Sequence, residues 1–369
     1  MSQARLPDGS VAVVLGTRPE IIKLGELVRL LGPAARVVYT GQHYDDRLGP
    51  RFFTELGLPA PDVVLSVGGT PRAQQIGGAV VSLDRHFAEH PPRAVVVQGD
   101  TNATVAGALA ANARDVPLVH VEAGLRSRDR AMPEEHNRVV VDHLADLCCA
   151  PTETARENLA REGIVGDRVV VTGNTVVEAL HRIVPDLAHR RALVADAGLT
   201  PGRFVLATFH RPENVDDPER LATVLRELGG LDLPVLLPLH PRAAARVAGF
   251  GLSALLDRLQ VAMPMSYGDF LGLAAESAFL VSDSGGVQEE CSVLKRPVAV
   301  VRNSTERPEV LGTFARLVPL GPAVGQVAAE WTADLAATHE RLRDLASPYG
   351  DGTASRRCLD ALTDLLERR

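Results

Sequence analysis

Short runs of β-branched and aliphatic residues recur along the chain, and after each the pattern changes to a polar turn and then an amphipathic stretch. VAVVL at 11–15, RVVYT at 36–40, AVVVQ at 94–98, PLVHV at 117–121, DLCCA at 146–150 and RVVV at 168–171 form one series. FVLATF at 204–209, PVLLPL at 234–239, LQVAM at 259–263, AFLVS at 278–282 and PVAVV at 297–301 form a second. Apolar runs alternating with helical patterns predict βαβ units and parallel sheets. Between the series, residues 178–202 read as helix and then a Gly-Leu-Thr-Pro-Gly connection at 198–202, which marks a domain boundary. The order predicts an α/β protein of two Rossmann-like, doubly wound domains facing each other across a cleft.

Composition agrees with that size. At roughly 100 to 200 residues per domain, a chain of 369 residues makes two domains. With 46% hydrophobic and 23% charged residues, disorder is excluded as the main state. The 46 acidic residues outnumber the 39 basic ones, giving a net charge of -7. An extended nucleic-acid footprint or a membrane-surface patch is therefore not expected. No apolar run reaches the roughly 18 residues that span a bilayer, and MSQARLPDGS lacks the apolar region of a secretory signal, so a cytoplasmic location is expected. Cys148, Cys149, Cys291 and Cys358 show no CxxC or zinc spacing, and buried free thiols with no metal site are expected.

In open parallel sheets, ligands bind outside the carboxyl ends of the strands. Those positions are polar here. Gly16, Thr17, Arg18 and Pro19 follow the first run, where a tight turn, a helix start and an arginine can hold an anion or form a plain turn. Asp100 ends VVVQGD and Glu122 ends LVHVE, with Arg126 close behind. Two acids at successive strand ends can divide acid and base roles. MPEEHNR adds Glu134, Glu135, His136 and Arg138, although glutamates after a proline also suit a helix dipole. His210 and Arg211 follow FVLATF, and PLHPR repeats the arrangement with His240 and Arg242. FLVSDSGGVQEE carries Ser284, Gly285 and Gly286 into a helix with Gln288, Glu289 and Glu290. Backbone N–H groups at such a start can cradle a pyrophosphate, and an acid one turn later can bind ribose hydroxyls. Thr305, Glu306 and Arg307 lie in the nearby NSTERPE, where the arginine is a further counter-charge. No G-x-G-x-x-G, Walker A or G-x-S-x-G sequence occurs, so neither tightly bound NAD nor a serine hydrolase has support.

In order along the chain, GTRPEIIK, TGQHYD, QGDTN, HVEAGLRS, MPEEHNR, PTET, TGNT, FHRPENVD, SDSGGVQEE, TERPE and PYGDG resemble the motifs of the non-hydrolysing UDP-N-acetylglucosamine 2-epimerases, over residues 11–365. The resemblance implies a GT-B fold, with residues 1–178 as the acid/base domain, 179–352 as the UDP-binding domain and a C-terminal helix at about 353–369 returning to the first. It implies a UDP-sugar substrate, no cofactor and a homodimer. The implied reaction is anti elimination of UDP to a 2-acetamidoglucal, then re-addition. Asp100, Glu122 and Glu134 would then do the acid/base work, with His210 assisting near the phosphates. Arg18, Ser284, Gly285, Gly286, Glu290 and Arg307 would grip UDP, and Lys23 falls at another motif position. Gln42 and His240 remain from the family's effector region, but YDDR at 44–47 lacks its second glutamine, and the SRDRA loop is short. These variations also occur in relatives acting on UDP-2,3-diacetamido uronic acids. A diacetamido-sugar epimerase, a hydrolysing epimerase releasing N-acetylmannosamine and UDP, a GT-B glycosyltransferase and a silent nucleotide-sugar sensor are the alternatives.

Overall fold

The structure, a computed structural model, describes residues 6–42, 49–239 and 241–369. His240 and the YDDR segment at 44–47 lie outside the described residues. The chain divides into two compact units, one of residues up to Ala179 together with Tyr349–Arg369, the other Leu180–Pro348. The 198–202 turn lies inside the second unit, after the helix Leu187–Asp196, and the chain passes between units at Ala179 and Leu180.

The first unit holds strands β1 (Val11–Leu15), β2 (Ala35–Tyr39), β3 (Val63–Val64), β4 (Ala94–Gln98), β5 (Leu118–Val121), β6 (Leu147–Ala150) and β7 (Val169–Val171). They form one parallel sheet in the order β3-β2-β1-β4-β5-β6-β7. Every residue of β1 and β4 is buried, as expected of strands covered on both faces. Alternation sorts the faces: Val11, Val13 and Leu15 pack with Ile21, Leu24 and Leu27 of the helix Arg18–Leu31, whereas Ala12 and Val14 pack with residues of the helices Arg72–Glu89 and Asn102–Ala113. The helix Ala354–Arg368 adds Leu359, Leu362, Leu365 and Leu366 to the first of these cores. Its return is fixed by the Asn174 N–H donating to the carbonyl of fully buried Tyr349 at 2.8 Å.

The second unit holds β8 (Val205–Thr208), β9 (Val235–Pro238), β10 (Gln260–Ala262), β11 (Phe279–Ser282), β12 (Val298–Val301) and β13 (Ala315–Val318). The sheet is again parallel, in the order β10-β9-β8-β11-β12-β13. All eleven apolar runs named from sequence contain a strand, whereas β3 and β13 were not anticipated. β3 spans only two residues and β13 lies in ARLVPL, whose arginine and proline hide the apolar run. All four cysteines are free and buried. No described helix is long and apolar enough to cross a membrane.

Candidate active site

Each unit has a point where the strand order reverses, and there the turns on neighbouring strands open away from each other. In the first unit it lies between β1 and β4, so the Gly16–Arg18 turn and the Gly99–Asp100 turn flank it, with Glu122 one strand further on after β5. Gly16 is required by close approach, because a Cβ there would sit 2.3 Å from Thr40 Oγ1. Arg18, half-buried at the start of its helix, places its guanidinium 4.8 Å from the centroid of the Phe52 ring. Gln42 anchors the neighbouring helix start, its Oε1 accepting from the Ala103 N–H at 3.0 Å.

Asp100 is partly exposed and its carboxylate accepts from the buried Arg138 guanidinium. The Asn137 amide donates to the Asp100 carbonyl at 2.7 Å, so the Pro133–Leu144 helix holds this turn twice. Arg138 also donates to Glu135 at 2.6 Å. Glu135 further accepts from the N–H groups of Ser127 and Arg128 at 2.9 and 2.8 Å. Burial alone would raise its pKa, but these bonds and the Arg138 charge prevail and hold it below the usual carboxylate value. Glu135 is thus the pillar of the 127–128 loop. Glu134 is exposed in the first helical turn, and its side chain makes no hydrogen bond or ion pair with another described residue.

Glu122 is buried and sits at φ 67°, a left-handed conformation that costs a non-glycine residue on the order of 1 kcal/mol. That backbone aims its carboxylate at the buried Lys23 ammonium and at the Asn174 amide, 3.2 Å away. Lys23, which falls at a motif position in the resemblance, pairs with a carboxylate of its own unit. Its helical position explains this, since it lies on the buried side of the Arg18–Leu31 helix.

Glu20 was not anticipated. It is 1% exposed, and its carboxyl accepts from the Gly16 N–H at 3.0 Å and the Thr101 hydroxyl at 2.9 Å. Burial dominates over those bonds and pushes its pKa from 4.5 up to about 7. The signal was present in the helical stripe Glu20, Leu24, Leu27 and Leu31, all buried. Because the folded pKa is raised, the stability contributed by protonated Glu20 is complete below pH 4.5 and is lost as pH rises through about 7. Glu20→Gln should abolish a loss on the order of 3 kcal/mol across that window; denaturant unfolding at both pH values checks it, and parallel wild-type and variant pH profiles would contradict it.

In the second unit the reversal lies between β8 and β11. Their turns are joined by Asp283, which is fully buried and accepts from the backbone N–H of His210 at 3.2 Å, that of Arg211 at 3.1 Å and the Asn214 amide at 3.0 Å. Nδ1 of the exposed His210 ring lies 3.0 Å from the same carboxylate. Burial would raise the Asp283 pKa, but the His210 contact and these donors outweigh it and hold it low. Sequence reading passed over this residue, though an acid directly after a buried strand was the signal.

Ser284 is the N-cap of the helix Gly285–Leu294, and its side chain caps nothing. The first N–H groups of a helix have no partners within it, which suits an anion. A Cβ at Gly285 would lie 2.9 Å from Arg307 Nη1, whereas one at Gly286 would meet Glu290 Oε1 at 3.4 Å. Gln288 ties the turn to the next loop, donating to the Ser284 carbonyl at 3.3 Å and accepting from the Thr305 hydroxyl at 2.6 Å. Arg307 is close behind the glycines, but its charge is shared by Glu289 at 2.6 Å and by Glu306, which also receives Arg302 at 2.8 Å. It is therefore a positioned cation within an internal network, not an uncommitted one. Glu290 accepts from the Tyr267 hydroxyl at 2.7 Å.

Two Rossmann-like units in one chain, each with polar turns at its reversal point, define a GT-B protein. A family model described as UDP-N-acetylglucosamine 2-epimerase matches residues 32–363. The chain is 36% identical to UDP-N-acetylglucosamine 2-epimerase of Methanocaldococcus jannaschii, covering 96% of this chain and 98% of that one. It is 33% identical to UDP-2,3-diacetamido-2,3-dideoxy-D-glucuronate 2-epimerase of Pseudomonas aeruginosa, with 96% and 99% covered. It also resembles the crystal structure of the M. jannaschii enzyme in complex with UDP-GlcNAc and UDP, with a TM-score of 0.85 at 36% identity and 96% and 99% of the chains covered. The chain belongs to the UDP-N-acetylglucosamine 2-epimerase family, whose enzymes act on UDP-sugars.

Proposed function

We propose that the protein is a non-hydrolysing UDP-N-acetylglucosamine 2-epimerase that interconverts UDP-GlcNAc and UDP-ManNAc. The observation that carries this reading is Glu122, held in a strained backbone conformation and bonded to Lys23 one strand from Asp100. In the forward step a carboxylate takes the C2 proton, the C1–O bond to UDP breaks, and a C1–C2 double bond forms. UDP then returns to C1 while C2 receives a proton on the opposite face. No oxidant or reductant enters this balance.

Asp100 and Glu122 are the proton-handling pair of this proposal, with the exposed Glu134 as the third acid. Each positioned acid or base supplies about 10²- to 10⁴-fold. The larger part of the barrier is met by stabilising the departing diphosphate. The helix start at Ser284–Gly286, Arg18 and His210 serve that need, and Glu290 takes the ribose hydroxyls. Glu20 fits the same scheme, because near neutrality it carries a proton part of the time and so leaves the Gly16–Arg18 turn more positive toward an anion.

Turnover of UDP-GlcNAc in D₂O tests the proposal: deuterium should appear at C2 of both epimers with no accumulation of free UDP. An epimer without solvent deuterium would sink it, and stoichiometric free UDP would assign the hydrolysing reaction instead. The similarity to the P. aeruginosa enzyme supports a second substrate, a UDP-2,3-diacetamido sugar acid, with the same chemistry at C2. Comparing kcat/KM for the two substrates decides between them.

A further inference from the structure

His120 lies on β5 and is fully buried, with Val97 of β4 and Cys148 of β6 as its neighbours in register. Nδ1 of its ring is 2.6 Å from an oxygen of Asp142, and Nε2 is 2.8 Å from the Gly99 carbonyl. A carbonyl can only accept, so Nε2 donates to it. The second oxygen of Asp142, also fully buried, accepts from the Gly124 N–H at 3.1 Å and pairs with Arg126 at 2.7 Å. Arg126 in turn makes a two-pronged contact with Glu162 at 2.8 and 2.6 Å. The Cys148 thiol donates to the Asp142 carbonyl at 3.6 Å and completes the polar surroundings.

The ends of this chain of bonds are not arbitrary. Gly99, at φ 70°, immediately precedes Asp100, and Gly124, at φ 86°, follows Glu122 by two residues. A Cβ at Gly124 would come within 2.4 Å of the Ala155 carbonyl oxygen, so that turn is also pinned from behind. We propose that His120 and Asp142 are a buried positioning pair that fixes the turn carrying Asp100 against the turn carrying Glu122. Fold stability alone does not require such a pair. Buried charged groups in a sheet interior are often replaceable by apolar residues at no loss of stability, and the paired position on β4 is a valine. What an apolar residue cannot do is hold two turns on adjacent strands through directional bonds. Neither residue reaches the reacting atoms in this scheme; both act through the acids.

The inference rests on the proposed epimerase reading only for its kinetic consequence, and it is tested on the full chain with two variants. His120→Asn keeps a donor for Asp142 but does not reach the Gly99 carbonyl. His120→Gln has a longer amide that reaches it. Misplacing a catalytic group by about 1 Å can cost on the order of 100-fold, so His120→Asn should lower kcat for C2 exchange by that order, with KM and UDP affinity unchanged. His120→Gln should restore part of the loss. The crystal structure of His120→Asn should show the Gly99–Asp100 turn displaced while Glu122 keeps Lys23 and Asn174. A wild-type kcat in His120→Asn, a parallel loss of UDP affinity, or failure of both variants to fold would overturn the proposal. If the wild-type protein shows no C2 exchange, the epimerase reading fails. The crystal structure then decides the positioning role alone, an undisplaced Asp100 turn overturning it.

Discussion

Asp100→Asn and Glu122→Gln each reduce C2 proton exchange by about 10²- to 10⁴-fold and leave UDP affinity where it was. The two halves of this expectation have different physical origins. Both substitutions remove a proton acceptor while keeping side-chain size. The amide that replaces the Asp100 carboxylate still offers an oxygen to Arg138, and the amide that replaces the Glu122 carboxylate still offers one to Lys23 and Asn174, so the partners that hold each turn remain bonded. What is lost is basicity. UDP affinity is unaffected because the nucleotide is assigned to the Ser284–Gly286 helix start, Glu290, His210 and Arg18, and among the described residues none of these bonds to Asp100 or Glu122 through the groups that are replaced. Glu290→Ala provides the opposite result: it removes the carboxylate that accepts from the Tyr267 hydroxyl and weakens UDP binding more than it lowers the exchange rate of bound substrate. Isotope exchange measured by NMR and UDP titration calorimetry on the three variants check the assignment. An equal loss of UDP affinity in all three would contradict the division of roles.

The parts of this site that were legible in the sequence are those fixed by position in a βα unit. A strand that is buried on both faces must be a continuous apolar run, so its last residue is visible, and the polar residue after it is a candidate by geometry alone. Asp100, Glu122, His210 and Ser284 become candidates in this way, and the structure places each just after a strand. The residues that were missed are the ones whose importance depends on a partner far along the chain. Glu20 reads as an ordinary helix-dipole acid until it is placed beside Thr101, 81 residues away. Asp283 directly follows the buried β11 and so meets the strand-end rule, but what it does, holding the backbone of His210 and Arg211, shows only in three dimensions. The sequence offers Arg307 as a counter-charge and Lys23 as a motif position, and only three-dimensional pairing shows that Glu289 with Glu306 in one case, and Glu122 in the other, share their charge.

That pairing carries the second large effect. Lys23→Met should destabilise the first unit by about 3 to 5 kcal/mol, the cost of leaving one partner of a buried ion pair uncompensated. The two side chains are only 7% and 5% exposed, so water does little to replace the lost ammonium. Methionine fills a similar volume, which separates the loss of charge from the creation of a cavity. In the double variant Lys23→Met with Glu122→Gln the stranded charge is gone, and most of the stability lost in the single variant should return. The coupling between the two sites, taken from denaturant unfolding of wild type, both single variants and the double variant, should therefore be favourable and large. A double variant no more stable than Lys23→Met would mean that the cost came from packing and that Lys23 does not compensate Glu122. The same cycle bears on catalysis. Glu122→Gln alone strands the buried Lys23 ammonium by the same argument, softened because the amide oxygen still accepts from Lys23, so it should be less stable than wild type while losing C2 exchange. A folded, UDP-binding but inactive protein would tie the Glu122 carboxylate to proton transfer and not to holding the fold.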